Sequence, residues 1–179
     1  MIRPRPTRRT VLGVVTLGAL VACTPYPRDP GHTLDLVRER GELRIGVSPA
    51  DPWTLVGEAA LEGAAPIGEA DGLPLAGIEV GLARAFSEHL AVEPIWHVDG
   101  EAGLVEKVEL GQLDLVIAGL TADTQWSKKV SVTRDYTEAA DASGRKRKHV
   151  MAVPLGENAF LSELERFLDS RPDSEKGAN

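Results

Sequence analysis

In Leu110-Gly111-Gln112-Leu113-Asp114-Leu115-Val116-Ile117-Ala118 an amphipathic pattern stops at a glycine, and a short apolar run follows almost without alternation. A strand over Leu113 to Ala118 that is apolar on both faces must be covered on both faces, the condition of a strand inside a helix-flanked, mainly parallel sheet. The preceding segment, Glu101 to Leu110, reads as a helix with Gly111 just past its end, where a left-handed residue closes the last turn.

Working outward, the same alternation of periods recurs. Toward the N-terminus, Pro94 to Val98 reads as a strand. Ile78 to Leu90 reads as a helix with Ile78, Leu82, Phe86 and Leu90 on one face. A Gly-, Ala- and Glu-rich loop covers Ala50 to Ala76, Leu43 to Val47 is a buried strand, and Thr33 to Arg40 is a short helix stopped by Gly41. Toward the C-terminus, Gly156 to Leu168 reads as a last helix with Phe160, Leu161, Leu164, Phe167 and Leu168 on one face. Strands alternating with helices indicate an α/β domain, and 179 residues with 42% hydrophobic content suit one domain.

The first 22 residues stand apart. They hold Arg3, Arg5, Arg8 and Arg9, no acid, and an apolar run from Val11 to Ala22 too short to span a bilayer. Leu20-Val21-Ala22-Cys23 resembles a bacterial lipobox, and Thr7-Arg8-Arg9-Thr10-Val11-Leu12 resembles a twin-arginine export signal. Residues 1–22 are therefore expected to be a lipoprotein signal peptide, with Cys23 as the lipidated first residue of the mature protein. Residues 23–32, with Pro25, Pro27 and Pro30, are expected to be a tether, 33–170 the folded lobe, and 171–179 a disordered tail. Cys23 is the only cysteine, so no internal disulfide can staple the domain.

Removing the leader's four arginines from 20 basic residues leaves 16 against 27 acidic ones, a formal net charge of −11. The one dense basic run, Arg145-Lys146-Arg147-Lys148, does not outweigh that surface, which excludes a phosphate-backbone partner such as nucleic acid. The run reads as a solvated turn, the other reading being a contact for acidic lipid. His32, His89, His97 and His149 are scattered without metal-ligand spacing, and no Walker loop, GxGxxG or GxSxG occurs. No metal and no cofactor is expected.

Several blocks, in order, resemble the family 3 solute-binding proteins of bacterial ABC importers: 41–49, 75–85, 106–121 and 129–136. Members have two lobes joined by hinge strands that close on a ligand. The resemblance implies a periplasmic-binding-protein-like lobe: a parallel-dominated sheet flanked by helices with an antiparallel hinge-type hairpin. Only Thr137 to Lys148 stands where the second lobe would be inserted, before the returning strand His149 to Pro154. A single-lobe form follows, with Arg134 to Glu138 paired to Lys148 to Val153 across a turn containing Ser143-Gly144.

The resemblance also nominates ligand-binding residues: Asp51, Trp53, Glu79, Gly119, Thr121 and Trp126. Trp126 stands where the amino-acid binders place a carboxylate-clamping arginine, and Asp51 falls near their ligand-stacking aromatic, with Trp53 two residues on. Each has a plainer reading. Glu79 and Thr121 could satisfy backbone groups, Trp53 and Trp126 could cover core, and Gly119 serves close backbone approach. Asp51 and Glu79 with two indole faces would favour a cationic solute. One lobe offers one wall, so free amino acids are expected to bind with Kd at or above about 1 mM.

The function expected is that of an exported, lipid-anchored, non-catalytic binding or interaction module related to ABC transport. It would sit in the cell envelope, on the outer side of the cytoplasmic membrane or in the periplasm. Its partners would be a small polar or cationic solute, an ABC permease or another envelope protein, and the membrane through the lipid. The alternative is a working receptor using an open half-cleft or a second lobe lent by a partner, and a dehydratase-like enzyme comes third. Cys23→Ser is expected to move the protein from the membrane fraction to the soluble fraction, and membrane retention of that variant would contradict the anchor.

Overall fold

The structure, a computed structural model, describes residues 29–63, 65–141 and 143–177. The leader and Cys23 lie outside the described residues. Among the described residues no helix is long and apolar enough to cross a membrane.

Helix α1 (Thr33–Arg40) leads into strand β1 (Glu42–Val47). Gly41 between them has φ 73°, and its amide donates to the Val37 carbonyl to close the helix. The stretch expected as an irregular loop instead carries β2 (Leu55–Val56), α2 (Glu58–Gly63), β3 (Gly68–Ala70) and β4 (Leu73–Ala76), its three strands forming a small antiparallel sheet in the order β2-β4-β3. Its strands are two to four residues long, too short for periodicity to register. There follow α3 (Ile78–Leu90), β5 (Glu93–Val98), α4 (Glu101–Glu109), β6 (Leu115–Ile117), β7 (Val130–Val132), β8 (Thr137–Ala140), β9 (Lys146–His149), β10 (Ala152–Pro154) and α5 (Asn158–Ser170).

The main sheet runs β5-β1-β6-β10-β7. β1 is parallel to β5, with Glu42 opposite Glu93 and Val47 opposite Val98, and parallel to β6, with Ile45 opposite Leu115. β10 returns antiparallel between β6 and β7. The unalternating run at β6 has a direct cause. Leu115 and Ile117 face the core shared with Phe86 of α3 and Phe160 and Leu164 of α5, whereas Val116 and Ala118 face Leu104, Val105 and Val108 of α4. Gly46 on β1 lies under that second layer, where a Cβ would come within 2.8 Å of Leu104 and Leu113.

β8 and β9 form the hairpin, with Thr137 opposite His149 and Ala140 opposite Lys146. Pairing starts and ends a few residues from the positions expected. The Met151 amide is taken by the Thr133 hydroxyl at 3.0 Å at the break that separates β9 from β10 along the chain. Asp141 Oδ1 accepts the amides of Ser143 and Arg145 and orders the turn.

The two ends of the described chain are held to the body. Glu157 accepts the amides of Gly31 at 2.7 Å and Thr33 at 2.8 Å, and Asp29 Oδ1 accepts the Ala159 amide in the first turn of α5 at 2.7 Å. Residues 171–177, expected as disordered, contain a 3-10 turn at Asp173–Glu175, and Gly177 lies close to Ile78 and Trp53.

Asp114, 3% exposed, ties α1 to the sheet. Its carboxylate accepts from Arg40 Nη2 at 2.6 Å, the Arg44 amide at 2.9 Å and Arg44 Nη2 at 2.7 Å. Asp114→Ala would strand one backbone donor and two guanidinium groups. It is expected to cost about 2–4 kcal/mol of unfolding free energy in urea titration, since hydrogen bonds to charged groups contribute about 1.5–3 kcal/mol each and the arginines retain some water.

Candidate functional site

In open α/β sheets the chain leaves the carboxyl ends of parallel strands through loops that can converge on a ligand. Here two such loops converge, one after β1 and one after β6, and the start of α3 packs between them. The Ser48 amide donates to the Ile117 carbonyl at 3.1 Å, and the Thr54 hydroxyl donates to the Ser48 carbonyl. The carbonyls of Pro52 and Trp53 accept the amides of Ile78 and Glu79 at 3.3 and 2.9 Å, satisfying donors that the first turn of α3 leaves free. Gly77 makes that approach possible: its φ is 111°, and a Cβ there would lie 2.5 Å from the Trp53 carbonyl oxygen.

Glu79 is fully buried beneath these loops. Its Oε2 accepts the Gly119 amide at 2.9 Å and its Oε1 accepts the Tyr136 hydroxyl at 2.7 Å. Burial pushes the Glu79 carboxyl up to about 7, against the downward pull of those hydrogen bonds. Burial, and then the Glu79 charge, push the Tyr136 phenol far up. Glu79 thus satisfies the Gly119 amide and the Tyr136 hydroxyl and is not among the residues that line the cleft above it.

Above this floor is a cleft of about 780 Å³. One wall carries Asp51, Trp53 and Thr121; the other is the β8–β9 hairpin, with Ala139, Arg147 and His149. The expectation of a single wall is corrected by this geometry: the short segment that stands in for a lobe folds back over the loops and forms the second side.

Trp53 is 7% exposed, with the His149 ring tilted by 30° against it at 3.8 Å and Tyr136 edge-on at 6.3 Å. Gly119, φ 59°, passes under the indole, and a Cβ there would be 2.8 Å from Trp53 Cδ1. Thr121 Oγ1 donates to Asp123 at 2.6 Å and accepts from Arg147 Nη2 at 3.2 Å. Asp51 is exposed at the rim and makes no ion pair among the described residues. Asp51, Trp53, Gly119 and Thr121 thus come together. Trp126 does not: it packs on the α4 side of the sheet and donates from Nε1 to Glu101 at 2.9 Å. The four-residue cationic site expected from Asp51, Glu79, Trp53 and Trp126 is not formed.

Arg147 and His149 were not singled out by sequence reasoning. The available signal was period-two alternation in Lys146-Arg147-Lys148-His149, which turns 147 and 149 to the body and 146 and 148 to solvent. The basic run is matched residue by residue: Arg145 with Asp141, Lys146 with Glu138, Arg147 with Asp123 and Lys148 with Asp135, at 2.9–3.5 Å. This pairing leaves a solvated, neutralised turn and no cationic face for acidic lipid.

A second hollow of about 380 Å³ opens near α1 and the end of β10. Its carboxylates are already engaged, Glu157 by Gly31 and Thr33, and Asp114 by Arg40 and Arg44. Among the described residues no cluster of three His, Cys, Asp or Glu side chains could hold a metal.

The family model for bacterial extracellular solute-binding proteins, family 3, matches residues 59–178. No curated protein matches the chain. Among solved structures, the arginine-bound form of domain 1 from TmArgBP aligns over 75% of this chain and 97% of its own, with TM-score 0.60 and 22% identity. An amino acid ABC transporter substrate-binding protein from Streptococcus pneumoniae, bound to L-arginine, aligns over 80% and 93%, with TM-score 0.63 and 10% identity. An ancestral amino acid-binding protein described as a precursor of cyclohexadienyl dehydratase aligns over 80% and 95%, with TM-score 0.63 and 13% identity. At these identities the likeness is one of fold.

A carboxyl whose folded value is raised binds its proton more tightly in the native state, so its contribution to stability is full below the unfolded value and is lost as pH rises through the folded one. For Glu79 that window runs from about 4.5 to about 7. Unfolding free energy is expected to fall across it by on the order of 3 kcal/mol from this group. Glu79→Gln should flatten the pH profile between 5 and 7.5 in urea titrations, and an unchanged slope would contradict the buried, raised carboxyl.

Proposed function

Because the chain belongs to the bacterial extracellular solute-binding proteins, family 3, we propose that it is a single-lobe receptor that holds a small polar solute between the Trp53 loop and the β8–β9 hairpin. The family and the fold support a ligand-binding role related to ABC transport. The observation that carries the finer reading is the second wall. A hairpin that places Arg147 and His149 opposite Asp51 and Trp53 makes a two-sided cleft from one lobe. Domain 1 from TmArgBP, in an arginine-bound form, is a precedent for a ligand on one such domain.

The charge balance of the walls favours a solute with a cationic end. The hairpin bases are matched by acids, whereas Asp51 at the rim is not. The role proposed is non-catalytic: Glu79 is spent on Gly119 and Tyr136, and among the described residues no hydroxyl or thiol nucleophile is bonded to His149. Within the envelope, the lipid at Cys23 would hold the receptor at the membrane, where an ABC permease would take the solute.

The test is titration calorimetry of the mature chain against amino acids, polyamines and quaternary amines. Binding by the wild type is expected between about 1 μM and 1 mM, tighter than one wall allows. Asp51→Asn is expected to weaken cationic solutes about tenfold, the scale of one charge-assisted hydrogen bond. Absence of binding across the panel would contradict the receptor reading and leave a role in protein interaction.

A further inference from the structure

On the inner face of the hairpin two polar atoms are buried without a hydrogen-bond partner among the described residues, Thr137 Oγ1 and His149 Nδ1. The residues stand opposite each other in the β8–β9 ladder, so their side chains leave the hairpin on the same face. They are 7% and 6% exposed. Other buried polar side chains nearby are satisfied: Glu79 by Gly119 and Tyr136, Thr133 by the Met151 amide, and Thr54 by the Ser48 carbonyl. An unsatisfied buried group costs about 1–3 kcal/mol, so two of them side by side call for a common occupant.

The chemistry of the occupant follows from the imidazole. Burial, chiefly, holds His149 below its ordinary value, with the Arg147 charge acting in the same direction, while hydrogen bonding to the backbone of Gly119 and Leu120 pulls the other way. Of the ring nitrogens it is Nδ1 that is buried without a partner among the described residues. A neutral ring protonated on Nε2 presents Nδ1 as an acceptor. The threonine hydroxyl beside it can also accept. A carboxylate would meet an acceptor lone pair there, whereas an N–H or O–H donor would satisfy both atoms.

We propose that Thr137 Oγ1 and His149 Nδ1 form a subsite for a hydrogen-bond donor, an ammonium, guanidinium or hydroxyl group, carried by the solute that occupies the cleft. The inference rests on the receptor reading above. The His149 ring lines the cleft against Trp53 whereas Thr137 does not line it, so the imidazole has to turn aside for a solute to reach the pair. An ordered water offers the same donor chemistry, and stability separates the two sources. Replacing an unsatisfied polar group by an apolar one of similar shape is neutral or stabilising when nothing resident is lost, and destabilising when a bound water is lost with it.

The experiment is calorimetry of the mature wild type, Thr137→Val and His149→Phe with L-arginine and putrescine as probes, together with thermal melts of each protein without probe and the Nδ1 nitrogen-15 resonance of wild-type His149. The expected result is affinity at least about tenfold weaker in each variant, on the scale of one hydrogen bond to a charged donor. Melting temperatures without probe should be unchanged or higher, and the Nδ1 resonance should shift when probe is added. Unchanged affinity in Thr137→Val with a lowered melting temperature assigns the pair to a resident water and overturns the subsite, as does an Nδ1 resonance indifferent to bound probe. Wild type that binds neither probe removes the receptor reading and the subsite with it, whereas binding unaffected by either substitution removes the subsite alone.

Discussion

Glu79 is the point on which the cleft depends. A carboxylate without exposed surface at the first turn of α3 reaches the Gly119 amide in the loop after β6 and the Tyr136 hydroxyl at the foot of the hairpin. Its own amide is held by the Trp53 carbonyl in the loop after β1. Three segments far apart in sequence are thereby fixed around one side chain, and Trp53 is laid over the top. The cost of burying that carboxylate is visible in its raised value, about 7, and is offset by hydrogen bonds that also align the floor of the cleft.

On that floor, one short hairpin substitutes for a wall. Its inner face presents Thr137, Ala139, Arg147 and His149, its outer face Glu138, Ala140, Lys146 and Lys148. The outer charges pair with one another or with Asp135, and Arg147 is drawn to Asp123 and Thr121 on the opposite loop. Exposed ion pairs of this kind contribute little to stability. Their effect is geometric: they hold the hairpin over Trp53, while the rim carboxylate of Asp51 makes no ion pair among the described residues.

The sheet was legible because β6 and its flanking helices carry two-sided burial and unbroken periodicity. Leu115 and Ile117 serve one layer, Val116 and Ala118 the other. The small sheet at β2-β4-β3 was not legible, since strands of two to four residues are too short for an alternation to repeat. Of the candidate site, Asp51, Trp53, Gly119 and Thr121 were found through the family blocks that surround them. Trp126 lies apart from them because its loop turns to the α4 face, where Glu101 takes its indole N–H. Arg147 and His149 were hidden inside a basic run whose composition says solvated turn, although its alternation points two of its side chains inward. The second wall depends on pairing between residues that sequence spacing alone did not place over Trp53.

The central claim is that a solute is held between the hairpin and the Trp53 loop. Hydrogen exchange of the mature protein with and without saturating L-arginine tests it most directly. The account predicts slower exchange on binding in the amides of the 50–54 and 119–122 loops and throughout 137–149, with α1 and α4 unchanged. Protection confined to the hollow beside α1 and the end of β10, or bound ligand with no change in the hairpin, would contradict it.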